Sequence, residues 1–177
     1  MFYRDLPYFA YGSNLDLGQM QIRCKFAQVI GPAELHDFEL TFNGVADVER
    51  RKGAKVSGGL FKITNRCLEA LDRYEGYPTL YGRETVEVVD QFGEIIEAFV
   101  YIMQPTHSRS RTALPSRYYF NVIERGFADF GLNTRPLYEA LENVTEIVAE
   151  RKEAQELERR YRDEELRDFR LVGEGEW

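Results

Sequence analysis

Apolar and polar positions change period several times along this chain, and the changes mark its elements. Leu6-Pro7-Tyr8-Phe9-Ala10-Tyr11 is a continuous apolar run that stops at Gly12-Ser13-Asn14, the pattern of a buried strand breaking into a tight turn. A short helix follows through Met20-Gln21-Ile22-Arg23-Cys24, and Gly31-Pro32 reads as a stop. From Ala33 to Phe42, Leu35, Phe38, Leu40 and Phe42 mostly alternate with polar partners, which predicts a strand closed by a turn at Asn43-Gly44. Val45 to Lys55 is polar and charged and reads as a loop. Ser57 to Ile63 predicts a further strand, whose Gly58-Gly59 pair signals a bulge or a close approach to the backbone.

Thr64 or Asn65 then caps a helix that carries Cys67, Leu68, Leu71 and Tyr74 on one face, with Gly76 as a left-handed stop and Pro78 blocking continuation. Tyr81 to Val89 and Ile95 to Met103 form a hairpin through Asp90-Gln91-Phe92-Gly93. An irregular, basic crossing at Ser108-Arg109-Ser110-Arg111 leads to a helix from Pro115-Ser116 through Tyr119, Val122, Ile123, Phe127 and Phe130 to Gly131. Another helix starts near Pro136. Strands and helices do not alternate as a doubly wound parallel sheet requires, so the expected class is α+β: a mixed, mostly antiparallel curled sheet or small barrel flanked by helices.

From Glu150 to Arg170 charges of both signs dominate, and Glu156–Arg160, Glu158–Arg162 and Asp163–Arg167 have the i,i+4 spacing of a solvated helix. The expected organisation is a domain over residues 1–148 and a charged helical extension over 149–177. Leu157, Tyr161 and Phe169 on that extension leave docking on a neighbour open, and with it a homodimer.

Composition narrows the function. A chain of 177 residues with 11 Tyr and 12 Phe can bury one substantial core. Its net charge of −7 argues against a nucleic-acid partner. No uninterrupted membrane-spanning stretch and no signal sequence are visible, so the expectation is a cytoplasmic protein without a membrane partner. Cys24 and Cys67 form neither a disulfide framework nor a CxxC pair, and Cys67 reads as core. His36 and His107 lack ligand-spaced partners, so no metal site is expected. Glu84 and Glu87 alternate with Val86 and Val88 and read as solvent-facing.

Two places carry candidate chemistry. The Gly12-Ser13-Asn14 turn can present several backbone N–H groups to one point, a receptor for a carboxylate or for a carbonyl oxygen gaining charge. A strand-to-helix turn capped by Ser or Asn accounts for the same residues. Glu75, the last helical residue before Gly76, faces the negative end of the helix dipole and lies near Asp72 and Glu69, so its affinity for a proton should rise. Cover by Tyr74, Tyr77 and Tyr81 would act in the same direction. A surface glutamate at a helix end is the alternative, and Tyr119 by spacing alone is a core aromatic.

Phe9-Ala10-Tyr11-Gly12-Ser13-Asn14-Leu15, Leu71-Asp72-Arg73-Tyr74-Glu75-Gly76 followed by Tyr81, and Pro115-Ser116-Arg117-Tyr118-Tyr119 followed by Gly126 and Gly131-Leu132 resemble, in that order, the γ-glutamylcyclotransferase family, which includes the AIG2-like proteins. The resemblance runs from about Tyr8 to Leu141. It implies a mixed barrel-and-helix fold, no cofactor, and release of 5-oxoproline from a small γ-glutamyl compound. It further implies that Tyr11, Gly12, Ser13, Asn14 and Leu15 bind the γ-glutamyl moiety, that Glu75 is the acid and base, and that Tyr119 hydrogen-bonds the substrate. Val45 to Lys55 has no pattern that maps onto the family, so the leaving group stays open. A non-catalytic module holding a carboxylate-bearing ligand in the same pocket, and an interaction protein built around the charged helix, are the competing functions.

Overall fold

The computed structural model describes residues 6–105 and 112–173. In chain order the elements are β1 (Tyr8–Ala10), a 3-10 turn (Ser13–Leu15), α1 (Leu17–Arg23), β2 (Gln28–Phe42), β3 (Ala46–Lys62), α2 (Asn65–Glu75), β4 (Tyr81–Asp90), β5 (Ile95–Met103), α3 (Arg117–Asp129) and α4 (Arg135–Gly173). The strands close into a barrel in the order β1-β3-β2-β4-β5. Every strand pair is antiparallel except β1 with β5, which meet in parallel at Tyr8 and Phe99 and complete the ring. This is the expected α+β class.

β1 is buried on both faces. Successive side chains point to opposite faces of a strand, and here Phe9 joins a core shared with α3 and α4, while Tyr8 and Ala10 join a second core covered by α1 and α2. The first core runs through Leu35, Phe42, Leu60, Val88 and Val100 to Phe120, Ile123, Phe127, Leu137 and Val144. The second gathers Met20, Cys24, Cys67, Leu71, Phe99 and Tyr101. Cys67 is buried there as a packing residue, as its helical position predicted.

Two close approaches fix the turn after β1. A methyl group at Gly58 would stand 2.4 Å from the carbonyl oxygen of Ala10, so only glycine lets β3 lie against the end of β1. On the other side a methyl at Gly126 would stand 2.6 Å from the Asp16 amide nitrogen, so α3 presses directly on the turn. The glycines in Ser57–Ile63 therefore mark a close approach, as expected. The register shifts of this hairpin fall instead at Val29/Gly31 and His36/Phe38.

The structure corrects two expectations. Gly31-Pro32 does not end an element but lies inside β2, where the bulge beside Gly31 takes up its backbone angle of φ 155°. Val45 to Lys55 is no loop, because Ala46 onward is strand β3, paired with β2 from Phe42↔Ala46 to Gln28↔Lys62. The outer half of this hairpin is exposed on both faces around Arg50–Lys52, which removes the alternation that would have announced a strand. Exposed ion pairs, Arg51–Glu39 at 2.5 Å and Lys55–Glu34 at 2.9 Å, tie its two arms.

The final helix is a single element from Arg135 to Gly173, continuous across the 148/149 position where a charged extension was expected to begin. Its side chains from Arg151 to Asp163 are exposed, Leu157 and Tyr161 included. Thr106 to Arg111, with His107 and the basic crossing, lies outside the described residues, as do the side chains of Arg167 and Phe169. No helix among the described residues is long and apolar enough to cross a membrane.

Candidate active site

The cavity forms where the turn after β1 faces the end of α2. The Leu15 N–H donates to the Gly12 carbonyl at 2.9 Å, which closes one tight helical turn. Ser13 and Asn14 are the first residues of that turn, so their N–H groups have no carbonyl behind them within it. Leu15 itself is fully buried in the core beneath, away from the cavity. Asp16 then caps α1 by accepting the Gln19 N–H at 2.7 Å, and it holds Arg125 of α3 at 2.9 Å.

On the opposite side, Thr64 caps α2 through the Cys67 N–H, and Gly76 ends it in a left-handed conformation at φ 64°. The Tyr77 N–H returns to the Asp72 carbonyl at 2.9 Å, so the last turn is closed and Glu75 is held on it. Between these two ends lies a cavity of about 120 Å³. Its lining is rich in tyrosine, with Tyr8, Tyr11, Tyr81, Tyr101 and Tyr119 inside and the more exposed Tyr74 and Leu80 at the mouth. Gly12, Ser13, Asn14 and Glu75 all line it.

Glu75 is joined to the turn directly. Nδ2 of Asn14 donates to Oε1 of Glu75 at 2.7 Å and to the Tyr8 hydroxyl at 2.9 Å. Burial of the carboxyl pushes its pKa up to about 7, against the downward pull of the Arg23 charge and the Asn14 hydrogen bond. The direction was expected, and of the causes named for it desolvation is the operative one, whereas Asp72 and Glu69 contribute nothing. Glu69 is exposed, and Asp72 is occupied elsewhere, accepting from the Tyr101 hydroxyl at 2.7 Å with Arg83 Nε at 3.6 Å. Of the tyrosines expected to cover Glu75, Tyr74 and Tyr81 line the cavity, whereas Tyr77 stacks under the Arg83 guanidinium at 4.2 Å.

The hydroxyls of Tyr119, Tyr81 and Tyr11 are held by backbone. Tyr119 accepts from the Ala46 N–H at 3.2 Å and Tyr81 donates to the Ala46 carbonyl at 2.7 Å, so both are anchored on one residue at the start of β3. Burial raises the Tyr119 pKa to about 12 and pushes those of Tyr8, Tyr11 and Tyr81 up as well, which keeps the ring of phenols neutral near pH 7. The Tyr11 hydroxyl is spent on the Tyr101 carbonyl at 2.7 Å.

Three residues of this arrangement escaped the sequence reading. Tyr8 was read only as part of the buried strand. Arg23 was read only as the end of a short helix, yet its guanidinium reaches Ser13, Asn14 and Tyr74. Asp47, inside the presumed loop, is buried behind the tyrosines. It accepts the N–H groups of Val48 at 2.9 Å and Met103 at 3.0 Å, and burial lifts its pKa to about 6. No periodicity marks Arg23 or Asp47, because each acts across elements that meet only in the fold. Among the described residues, no group of three His, Cys, Asp or Glu side chains is placed to hold a metal ion.

Comparison with known proteins adds an independent line. The family model described as gamma-glutamyl cyclotransferase, AIG2-like, matches residues 8–121. The gamma-glutamylcyclotransferases of Homo sapiens and Bos taurus are each 31% identical over 138 residues, covering 71% of this chain and 71% of theirs. A solved structure described as gamma-glutamyl cyclotransferase superposes with a TM-score of 0.66 at 29% identity, covering 79% of this chain and 86% of that one. A Bacillus subtilis protein, YkqA, shares the fold, with a TM-score of 0.63 at 23% identity over 77% of this chain and 54% of its own.

Proposed function

The chain belongs to the γ-glutamyl cyclotransferase, AIG2-like family of enzymes, and from that premise we propose that it releases 5-oxoproline from a small γ-glutamyl amide, with Glu75 as acid and base. The observation that carries this reading is the shared cavity: a carboxyl poised at about 7 and the amide-bearing turn line one hollow, linked by the 2.7 Å Asn14–Glu75 hydrogen bond. A group with that proton affinity is divided between its two forms near neutral pH, which suits it to take a proton and return it.

The reaction demands little else. The substrate's own α-amine is the nucleophile and its γ-carbonyl carbon the electrophile, so the protein has to fold one molecule into five-membered-ring geometry. The extra proton of the α-ammonium passes to solvent, and Glu75 removes a proton from the resulting amine as the nitrogen–carbon bond forms and the carbonyl oxygen becomes an oxyanion. When the tetrahedral centre collapses, the bond to the departing nitrogen breaks and Glu75 returns the proton to it. The Ser13 and Asn14 N–H groups serve the negative charge of the substrate, on the oxyanion or on the α-carboxylate. Tyr119, anchored at Ala46, keeps its own hydroxyl proton to offer to the substrate.

The test is direct. A panel of γ-glutamyl dipeptides and γ-glutamyl amines is incubated with wild type and Glu75→Gln, and 5-oxoproline is measured by mass spectrometry. Wild type is expected to release it from at least one class, and Glu75→Gln to bind that compound with almost no turnover. Comparable release by the variant would remove Glu75 from the reaction.

A further inference from the structure

The Asn14 amide takes its orientation from a residue outside the cavity lining. Arg23, at the end of α1, directs Nη1 to Oδ1 of Asn14 at 2.6 Å and to the Ser13 hydroxyl at 3.0 Å. Its Nη2 reaches the Tyr74 hydroxyl at 2.7 Å and Oε1 of Gln19 at 2.8 Å, and the guanidinium carbon sits 3.6 Å from the centre of the Tyr74 ring. A guanidinium has donors only, so the oxygen of the Asn14 amide must face it. The NH2 end of the amide is then turned toward Tyr8 and Glu75. Both ends of the amide are assigned by chemistry, and Glu75 meets a donor there.

We propose that Arg23 is a positioning residue for the ring-closing reaction: it locks the Asn14 amide so that Glu75 always faces an N–H, which favours the carboxylate that must accept the amine proton. The inference rests on the reading of Glu75 as the base. With a neutral residue in place of Arg23 the amide is free to turn over, and an oxygen facing Glu75 favours the protonated acid. Loss of the positive charge acts in the same direction.

Among the described residues, the groups that face Glu75 do not supply a substitute cation. Tyr8 and Tyr11 at β1, Tyr81 from β4, Tyr101 from β5 and Tyr119 from α3 are phenols kept neutral by burial, Tyr74 lies on its own helix, and Asp47 of β3 stands behind Tyr11 and Tyr81. Lysine at position 23 would keep the charge but not the planar fork that serves Ser13, Asn14, Gln19 and Tyr74 together.

The experiment follows the Glu75 side chain by carbon-13 NMR titration in wild type, Arg23→Met and Arg23→Lys, beside the pH profile of kcat/KM for 5-oxoproline release. The Glu75 midpoint is expected to rise by about one unit in Arg23→Met and by at least a few tenths in Arg23→Lys. The acidic limb of the profile should move with it, giving a roughly tenfold loss well below the midpoint that narrows above it. A role in packing alone would lower the rate at every pH and leave the midpoint in place. An unmoved midpoint, in whichever variant folds, overturns the inference. Should the midpoint move while no γ-glutamyl compound yields 5-oxoproline, the proposed reaction fails and the Arg23–Asn14–Glu75 coupling stands.

Discussion

Replacing Glu75 by glutamine should make the protein more stable at alkaline pH and leave its stability little changed in mild acid. The reasoning starts from the buried carboxyl, whose pKa rises from 4.5 to about 7 on folding. An acid with a raised folded pKa binds more protons in the native than in the unfolded state between those two values, so stability falls as pH climbs through that window. The shift of roughly 2.5 units corresponds to about 3 kcal/mol at 1.36 kcal/mol per unit, an upper figure because water entering the cavity mouth screens part of the interaction. Glutamine keeps the shape and an oxygen for Asn14 but carries no charge, so it escapes this penalty. Urea denaturation of both proteins at about pH 5 and about pH 8.5 reads the effect, and the difference of differences cancels Asp47, whose raised pKa is common to both. Most of the roughly 3 kcal/mol should emerge between those two conditions, with Glu75→Gln the more stable at the higher pH. If the two proteins keep a constant stability difference across the range, Glu75 is not a proton-holding buried acid, and the account of the site loses its base.

The same substitution should lower kcat by about 10² to 10⁴, the range for removal of a general acid–base, with the substrate still bound; single-turnover and binding assays separate the two. Gly58→Ala places a methyl 2.4 Å from the Ala10 carbonyl and 2.6 Å from the Phe9 ring, so β1 or β3 must shift. A loss of about 1–3 kcal/mol in chemical denaturation is expected, together with reduced activity because the turn that follows β1 moves with it. Ending the chain after Glu150 removes helix whose side chains from Arg151 to Asp163 are exposed, so 5-oxoproline release should persist. Loss of activity in a folded truncated protein would assign the extension a part in the reaction.

The sequence disclosed those elements whose two sides differ, and those whose ends carry their own punctuation. Thr64 and Gly76 bracket α2 with a cap and a left-handed stop, and Ser116 caps α3, so both helices were legible to within a residue or two. The outer part of β3 was not, because water bathes both of its faces and the polar residues there obey no period of two. Gly31-Pro32 misled for a related reason. A glycine and a proline break an ideal strand, but a bulge in an open hairpin absorbs both. The turn and Glu75 were legible as candidate chemistry, since each bears a local signature. Arg23, Tyr8 and Asp47 were hidden, because what they do depends on which elements face one another. For the Glu75 shift the sequence pointed to aromatic cover by Tyr74 and Tyr81 but also to Asp72 and Glu69, neighbours along the helix that play no part, because the weight of burial is set by strands and helices distant in the chain.

This division bears on how so small a protein holds an acid near neutrality. Burying a carboxyl destabilises its charged form, and the fold concentrates that cost at one helix end whose geometry is independently secured. The Thr64 side chain caps the first turn of α2, and the Gly76 stop with the Tyr77 return to the Asp72 carbonyl closes its last turn by backbone bonds. Arg23, Ser13 and Asn14 then approach from α1 and the turn after β1, which Asp16, Arg125 and Gly126 press against α3. Neither side has to move for the other to be correct. The position of the carboxyl is thus set by local helix chemistry and its proton affinity by the tertiary contact, so the two should be separable by mutation: changes at Thr64 or Gly76 ought to disturb stability first, and changes at Arg23 the pH at which Glu75 exchanges its proton.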